Sequence, residues 1–330
     1  MHLELAIPAL FQAQAEAPAL QLLLARGRRN ETEASALEEW YAQAFALGAG
    51  PLPAGALTAH AHGAEPACWL RADPVHLRAD RDRLLLIPSA GFEISLAEAK
   101  ELCAELDRLF GAQFTLHAFS PEHWGLRAKE VMALATRPPL EIAGRDIDAE
   151  MPDKRFHALL NEIQMALYQH AVNTAREARG APVVNSVWLW GAGPLPAAAA
   201  VSKASPWQSL SAEDPAALGL AKLAGMRHRA PGPGAGAWLE RAPEDGRHLV
   251  VLDMLRGAAA LGDAEALTQR LQKLETDWFA PSLAALRAGR IGMITLHVPA
   301  AGLSFETVRN DLRRFWRRPR PLSHYAITPA

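Results

Sequence analysis

The chain has 330 residues, 50% of them hydrophobic and 21% charged, enough to bury one large core or two ordinary ones and too apolar for a disordered chain. Thirty-four Lys and Arg oppose 36 Asp and Glu for a formal net charge of -2, which excludes whole-surface attraction to nucleic acid or anionic lipid. The two cysteines, Cys68 and Cys103, fall in different predicted elements, so reduced buried thiols are expected and a disulfide scaffold or zinc ribbon is not.

Met1-His2-Leu3-Glu4 lacks the basic and apolar regions of a signal peptide, and no apolar run reaches membrane-spanning length. The expected location is the cytoplasm, without membrane contact. Residues 31–46 read as a helix with Leu37, Trp40, Tyr41 and Ala44 on one face, and 48–63, rich in Gly, Pro and Ala, as a loop. Short strands at 68–71 and 84–87 flank a polar turn, Asp80-Arg81-Asp82-Arg83. Ser95 followed by Glu98 is a capping box that starts a helix running to Phe110. Strands are expected at 114–118 and 123–127, and one long helix over 156–179 that stops at Gly180. A core strand follows at 183–190, then a loop at 231–236, a strand at 248–252, a helix at 264–286 and a strand at 291–298. Strands alternating with helices of this length predict an α/β fold, a mostly parallel sheet flanked by helices.

One stretch carries a more specific pattern: Asn161-Glu162-Ile163-Gln164-Met165, His170-Ala171-Val172-Asn173, Arg176, Gly180, then Asn185-Ser186 and a strand ending in Gly191-Ala192-Gly193. It resembles the segment of archaeal-type cofactor-independent phosphoglycerate mutases that reads His-Pro-Val-Asn, Arg, Gly, Ala-Asn and Gly-x-Gly. Weaker echoes lie at Arg71, Pro74, 144–147 and 223–226. Read in full, the chain is similar to the bacterial RpfE-type regulatory proteins. The resemblance implies a degenerate alkaline-phosphatase-like, phosphoglycerate-mutase-like fold, with an N-terminal α/β region at 1–150 and a mutase-like region at 151–330, or one continuous domain. A helix, a turn and a strand opening into glycines would bring Asn173, Arg176, Asn185, Ser186, Gly191 and Gly193 to a sheet end suited to phosphate or carboxylate; the plainer reading has the same polar groups satisfying backbone atoms.

Such mutases use two metal ions to activate a serine or threonine and clamp the phosphoryl group. The ligands the resemblance calls for are an early Asp-x-x-Gly, a late-strand Asp-x-x-Gly-His cluster and a final Asp-His. The corresponding places here read Leu5-Ala6-Ile7-Pro8-Ala9, then Asp253-Met254-Leu255-Arg256-Gly257, then a single His297. No metal, cofactor or catalytic residue is therefore assigned, and His248 with Asp253 is the best relict pair. His60-Ala61-His62 reads as a solvated loop pair, and His117 and His123 as structural groups facing across a hairpin. P-loop and serine-elbow motifs are absent.

The tail, 309–320, holds six arginines in twelve residues. A docked helix is expected there, with Phe305, Val308, Leu312, Phe315 and Trp316 inward and Arg313, Arg314, Arg317 and Arg318 either facing an anionic partner or pairing with the chain's own carboxylates. The expected function is that of a non-catalytic, mutase-like regulatory or ligand-binding protein whose partners are a phosphorylated small molecule or another protein, not nucleic acid. The alternatives are a working metal-dependent mutase or phosphatase, and an interaction protein acting through the arginine-rich end.

Overall fold

The computed structural model describes residues 1–48, 50–81, 83–130, 134–152, 154–242 and 245–326. Asp82 of the predicted turn lies outside them. The strands are β1 His2–Ala6, β2 Arg28–Glu31, β3 Cys68–Asp80, β4 Arg83–Pro88, β5 Phe114–Ala118, β6 Trp124–Ala128, β7 Ser186–Trp190, β8 Ser209–Ser211, β9 Arg227–Arg229, β10 Arg247–Val251, β11 Met293–Val298 and β12 Leu303–Val308. The helices are α1 Pro18–Arg26, α2 Leu37–Ala44, α3 Ala54–Ala61, α4 Leu96–Phe110, α5 Lys154–Tyr168, α6 Ala171–Ala178, α7 Ala198–Ala204, α8 Pro215–Leu223, α9 Ala235–Leu239, α10 Leu255–Leu261, α11 Ala264–Leu274, α12 Ala280–Arg287 and α13 Leu322–Ala326.

The chain divides into two compact units, Met1–Ala46 with Ala198–Ala330, and Leu47–Ala197. The boundary expected at residue 150 falls inside the second unit. The physical reason is β1, which lies between β10 and β11 and is parallel to both, so the first residues belong with the last third of the chain.

In the first unit a seven-stranded sheet runs β2-β12-β11-β1-β10-β8-β9. It is parallel from β11 to β9, with antiparallel β12 and β2 completing one side. On β1 the period-two alternation sends Leu3 and Leu5 into a core with Leu20, Leu23, Leu271, Leu283, Ile294 and Leu296. The expected helix over 264–286 is realised as α11 and α12 joined by a π turn, Glu275–Phe279, at whose end Pro281 lacks a backbone donor. Glu275 accepts from the Ala19 and Leu20 N–H groups at 2.7 and 3.1 Å, capping the start of α1.

The second unit holds a five-stranded sheet whose spine is β3, antiparallel to β6, β7 and β4 in turn; β5 pairs with β6. The expectation of a mostly parallel sheet thus describes the first unit, while this sheet is antiparallel throughout its described residues. Segment 48–63, expected as a loop, contains α3. Its Ala54, Ala56, Leu57 and Ala59 are buried, and alanine is the strongest helix former. Gly55 permits close approach to β3, since a Cβ there would lie 2.4 Å from Leu70 Cα. The single helix expected over 156–179 is α5 and α6, separated at His170, whose ring accepts from the Val172 N–H at 3.2 Å and caps α6.

The arginine-rich tail is not a docked helix: a 3-10 turn, Arg309–Arg313, leads into irregular chain. Arg314 donates to Arg26 O at 3.2 Å and Arg317 to Gly27 O at 3.0 Å, satisfying carbonyls at the end of α1 where cations are favoured. Phe315 and Trp316 are exposed and Phe305 is core. Among the described residues no helix is long and apolar enough to cross a membrane.

Candidate functional site

The predicted residues of the helix-turn-strand segment are held by the backbone around them. Asn173, buried, donates to Leu167 O and Val184 O at 2.9 Å and accepts from the Val184 N–H at 2.9 Å. Asn185 forms a two-way pair with Leu77, accepting from its N–H at 2.7 Å and donating to its carbonyl at 2.8 Å. Ser186 is fully buried on β7. Gly191 has φ 64 and lies against α3, where a Cβ would come 2.7 Å from Ala54 Cβ; with Gly193, packed on Pro53, it ends β7 at the opposite end of the strand from Asn185. The six residues therefore do not converge.

Arg176 differs. Fully buried, it donates to Pro182 O at 2.7 Å, Glu93 O at 2.7 Å and Glu98 Oε1 at 3.1 Å, with its guanidinium 5.7 Å from the Phe92 ring. Arg179, half exposed, also donates to Glu98. Ser95 and Glu98 close the predicted capping box, each side chain bonding the other's backbone N–H at 3.2 and 2.8 Å. Burial alone would raise the Glu98 pKa; the Ser95 N–H and the arginines outweigh it and bring it to about 2. A cavity of about 520 Å³ opens here, lined by Glu93, Ser95, Glu98, Arg176, Arg179 and Pro182 among others.

Nearby in sequence, Arg71 and Asp73 form a buried pair at 2.7 and 2.9 Å, with Trp190 Nε1 donating to the other Asp73 oxygen at 2.7 Å. The guanidinium lies 5.1 Å from the Trp190 ring. Burial pushes Asp73 above the ordinary carboxylate range, with Arg71 opposing it. Of the histidines, His62 bonds Thr58 O at 2.9 Å at the end of α3 rather than in a loop; His123 meets Ser120 and His117 packs on Trp69, and in the β5–β6 register His117 stands opposite Gly125, not His123.

In the first unit the relict pair expected at His248 and Asp253 is split. His248 is buried between Ser209 Oγ and Asp245 O, both at 2.8 Å. Asp253 follows β10 at the carboxyl edge of the parallel strands, the usual ligand edge of such sheets. There Arg256 Nη2 meets both oxygens of buried Glu38, at 2.8 and 3.0 Å. Burial raises the Asp253 pKa, opposed by Arg256. Among the described residues no three His, Cys, Asp or Glu side chains gather as a metal cage, so the residues present do not fit the metal pair that the mutase resemblance implies.

Glu4, in the middle of β1, belongs to no motif of the sequence. It is 1% exposed, accepts from Arg247 at 2.7 Å and pairs with His297 Nε2 at 2.9 Å. The signal was a charge between Leu3 and Leu5 in a strand with parallel neighbours on both sides. Burial raises its pKa, but the bonds from His297 and Arg247 prevail and set it at about 2 against an ordinary 4.5. A depressed carboxyl contributes stability that is complete above the unfolded value and disappears as pH falls through the folded one. E4Q is therefore expected to show a shallower loss of stability than wild type between about pH 4.5 and pH 2, read from urea midpoints across that window; identical slopes would show that Glu4 does not carry the effect.

No family model matches the chain. A protein named as a probable 2,3-bisphosphoglycerate-independent phosphoglycerate mutase, from Geobacter sulfurreducens, is 27% identical over 155 residues, 45% of this chain and 38% of that protein. The PH0037 protein of Pyrococcus horikoshii superposes with a TM-score of 0.55 at 14% identity, covering 98% of this chain and 91% of that one. A cofactor-independent phosphoglycerate mutase from Thermoplasma acidophilum gives a TM-score of 0.40 at 15% identity, covering 93% of this chain and 89% of that one. The fold is a mixed α/β architecture shared with the PH0037 protein. Within it, part of the sequence is distantly similar to a cofactor-independent phosphoglycerate mutase.

Proposed function

We propose that the protein is a mutase-like regulatory protein that binds a small phosphorylated anion and does not turn it over. The observation that carries this reading is the cavity of about 520 Å³ at the start of α4, walled by buried Arg176 and half-exposed Arg179. The half-exposed Arg179 guanidinium at a helix N-terminus, with the enclosed Arg176 charge behind it, favours phosphate over a neutral ligand, against the Glu93 and Glu98 carboxylates of the same wall. Arg179, half exposed and donating to Glu98, is the member that an incoming anion would share with that carboxylate. The Geobacter sulfurreducens relative supplies the chemical class, a phosphoglycerate.

Calorimetric titration of inorganic phosphate and of 3-phosphoglycerate into wild type and R179Q tests it. The expected result is saturable binding to wild type that weakens about tenfold in R179Q, the loss of one charge-assisted contact. Absence of binding, or binding indifferent to R179Q, would refute the reading.

A second reading rests on exposed Phe315 and Trp316, whose rings meet edge to face at 5.3 Å. Flanked by Arg313 and Arg318, they offer an acidic protein surface an aromatic and cationic patch, while Arg314 and Arg317 are engaged by backbone carbonyls.

A further inference from the structure

The edge of the first sheet where the mutase resemblance would place metal ions is built around a guanidinium instead. Three segments meet there. Asp253 follows β10, and Arg256 stands in the first turn of α10. Glu213 and Asp214 follow the neighbouring parallel strand β8, with Asp214 capping α8 through the Ala216 N–H at 2.9 Å. From α2 come Glu38 and Tyr41.

Arg256 and Glu38 are both largely shielded, at 14% and 10% side-chain exposure. A cation in the first turn of a helix opposes the helix dipole, so the surrounding acids, not the helix, account for its place. Four carboxyl groups, Glu38, Glu213, Asp214 and Asp253, enter the electrostatics of this centre against one arginine. Tyr41, 0% exposed, has no hydrogen-bond partner for its hydroxyl among the described residues; burial and the neighbouring acids push its pKa well up, keeping it a neutral donor.

We propose that Arg256 is a tethered internal cation that pairs Glu38 and offsets the charge of this carboxylate edge in place of a bound metal, so that the centre holds together without a divalent ion. The chemistry of the two cations separates them. A guanidinium on its own tether is always charged and satisfies one carboxylate, here with a single nitrogen facing both oxygens, whereas a divalent ion needs several donors converged upon one point, and among the described residues no such trio exists. The proposal is independent of the anion cavity, which lies in the other unit.

The test uses the full chain as wild type, R256A, R256K, E38Q and E38Q/R256A. Melting temperatures are measured from pH 5.5 to 8 without metal, and manganese is titrated into wild type by calorimetry. Wild type is expected to show no saturable manganese binding. R256A is expected to melt roughly 5 °C or more below wild type at pH 7.5, and to recover part of the loss toward pH 5.5 as Asp253, already raised by burial and now without the opposing Arg256, takes up a proton while Tyr41 stays neutral. E38Q/R256A is expected to regain at least half of the loss, and R256K, which keeps the charge, to stay near wild type. One-to-one manganese binding by wild type overturns the proposal, and so does a double variant or R256K as unstable as R256A. If R256A does not fold, a folded double variant supports the proposal and an unfolded one overturns it.

Discussion

Replacing Arg176 by alanine is expected to lower the stability of the protein by about 3–5 kcal/mol, the cost of breaking a buried ion pair from one side. The side chain is wholly enclosed and donates in three directions, to the carbonyls of Pro182 and Glu93 and to the carboxylate of Glu98. Its removal leaves two carbonyls short of a donor and a shielded carboxylate with only Arg179 to balance it. Lysine does not rescue the loss, because an ammonium on a flexible stem cannot present a planar fork to three acceptors. Urea midpoints for wild type, R176A and R176K, with R179Q as the exposed control, check the expectation. A loss in R176A no larger than that in R179Q would mean that Arg176 is dispensable to the unit.

Asn173→Ala is expected to cost about 2–4 kcal/mol, from the Val184 carbonyl and N–H left unpaired at roughly 1–3 kcal/mol each, less what relaxation recovers, while Leu167 O keeps the His170 N–H. The amide ties the last turn of α5, through Leu167 O, to both backbone groups of Val184 before β7. Asn173→Asp keeps the acceptor for the Val184 N–H but places a carboxylate against two carbonyl oxygens, so it is expected to be no better than alanine. Hydrogen exchange at Val184 reports the lost bond directly: its amide, protected in wild type, exchanges faster in both variants, and unchanged protection would contradict the assignment.

These two residues show where the sequence is legible. The family-like spacing of Asn173, Arg176 and Asn185 falls on side chains that the surrounding backbone holds, and Gly180, at φ 71 after α6, stops the helix as expected. What spacing alone does not convey is whether a polar group faces a cavity or a backbone atom, and here Asn173 and Asn185 face backbone while Arg176 reaches the cavity wall. Local signals such as the Ser95 and Glu98 capping box can be read directly, because both partners lie within one turn. The decisive pairs of the first unit join Glu38 to Arg256 and Glu4 to His297, across 218 and 293 residues, and no periodicity encodes such a pairing. Helix α3 was hidden for a different reason. Gly48, Gly50, Pro51, Pro53 and Gly63 around it carry the loop signal, and only packing against β3 shows that small side chains are what the helix needs.

The alternative of a working metal-dependent mutase turns on the same carboxyl edge. With Arg256 paired to Glu38 and acting electrostatically on Asp253, transferring a phosphoryl group there would require metal ions to displace that cation from its carboxylate. The most direct test is the conversion of 3-phosphoglycerate to 2-phosphoglycerate by the purified full chain with manganese, zinc or magnesium supplied, with bound metal quantified in the same sample. The account predicts no turnover above the uncatalysed background and substoichiometric metal. Metal-dependent turnover accompanied by one or two tightly bound ions per chain would contradict it.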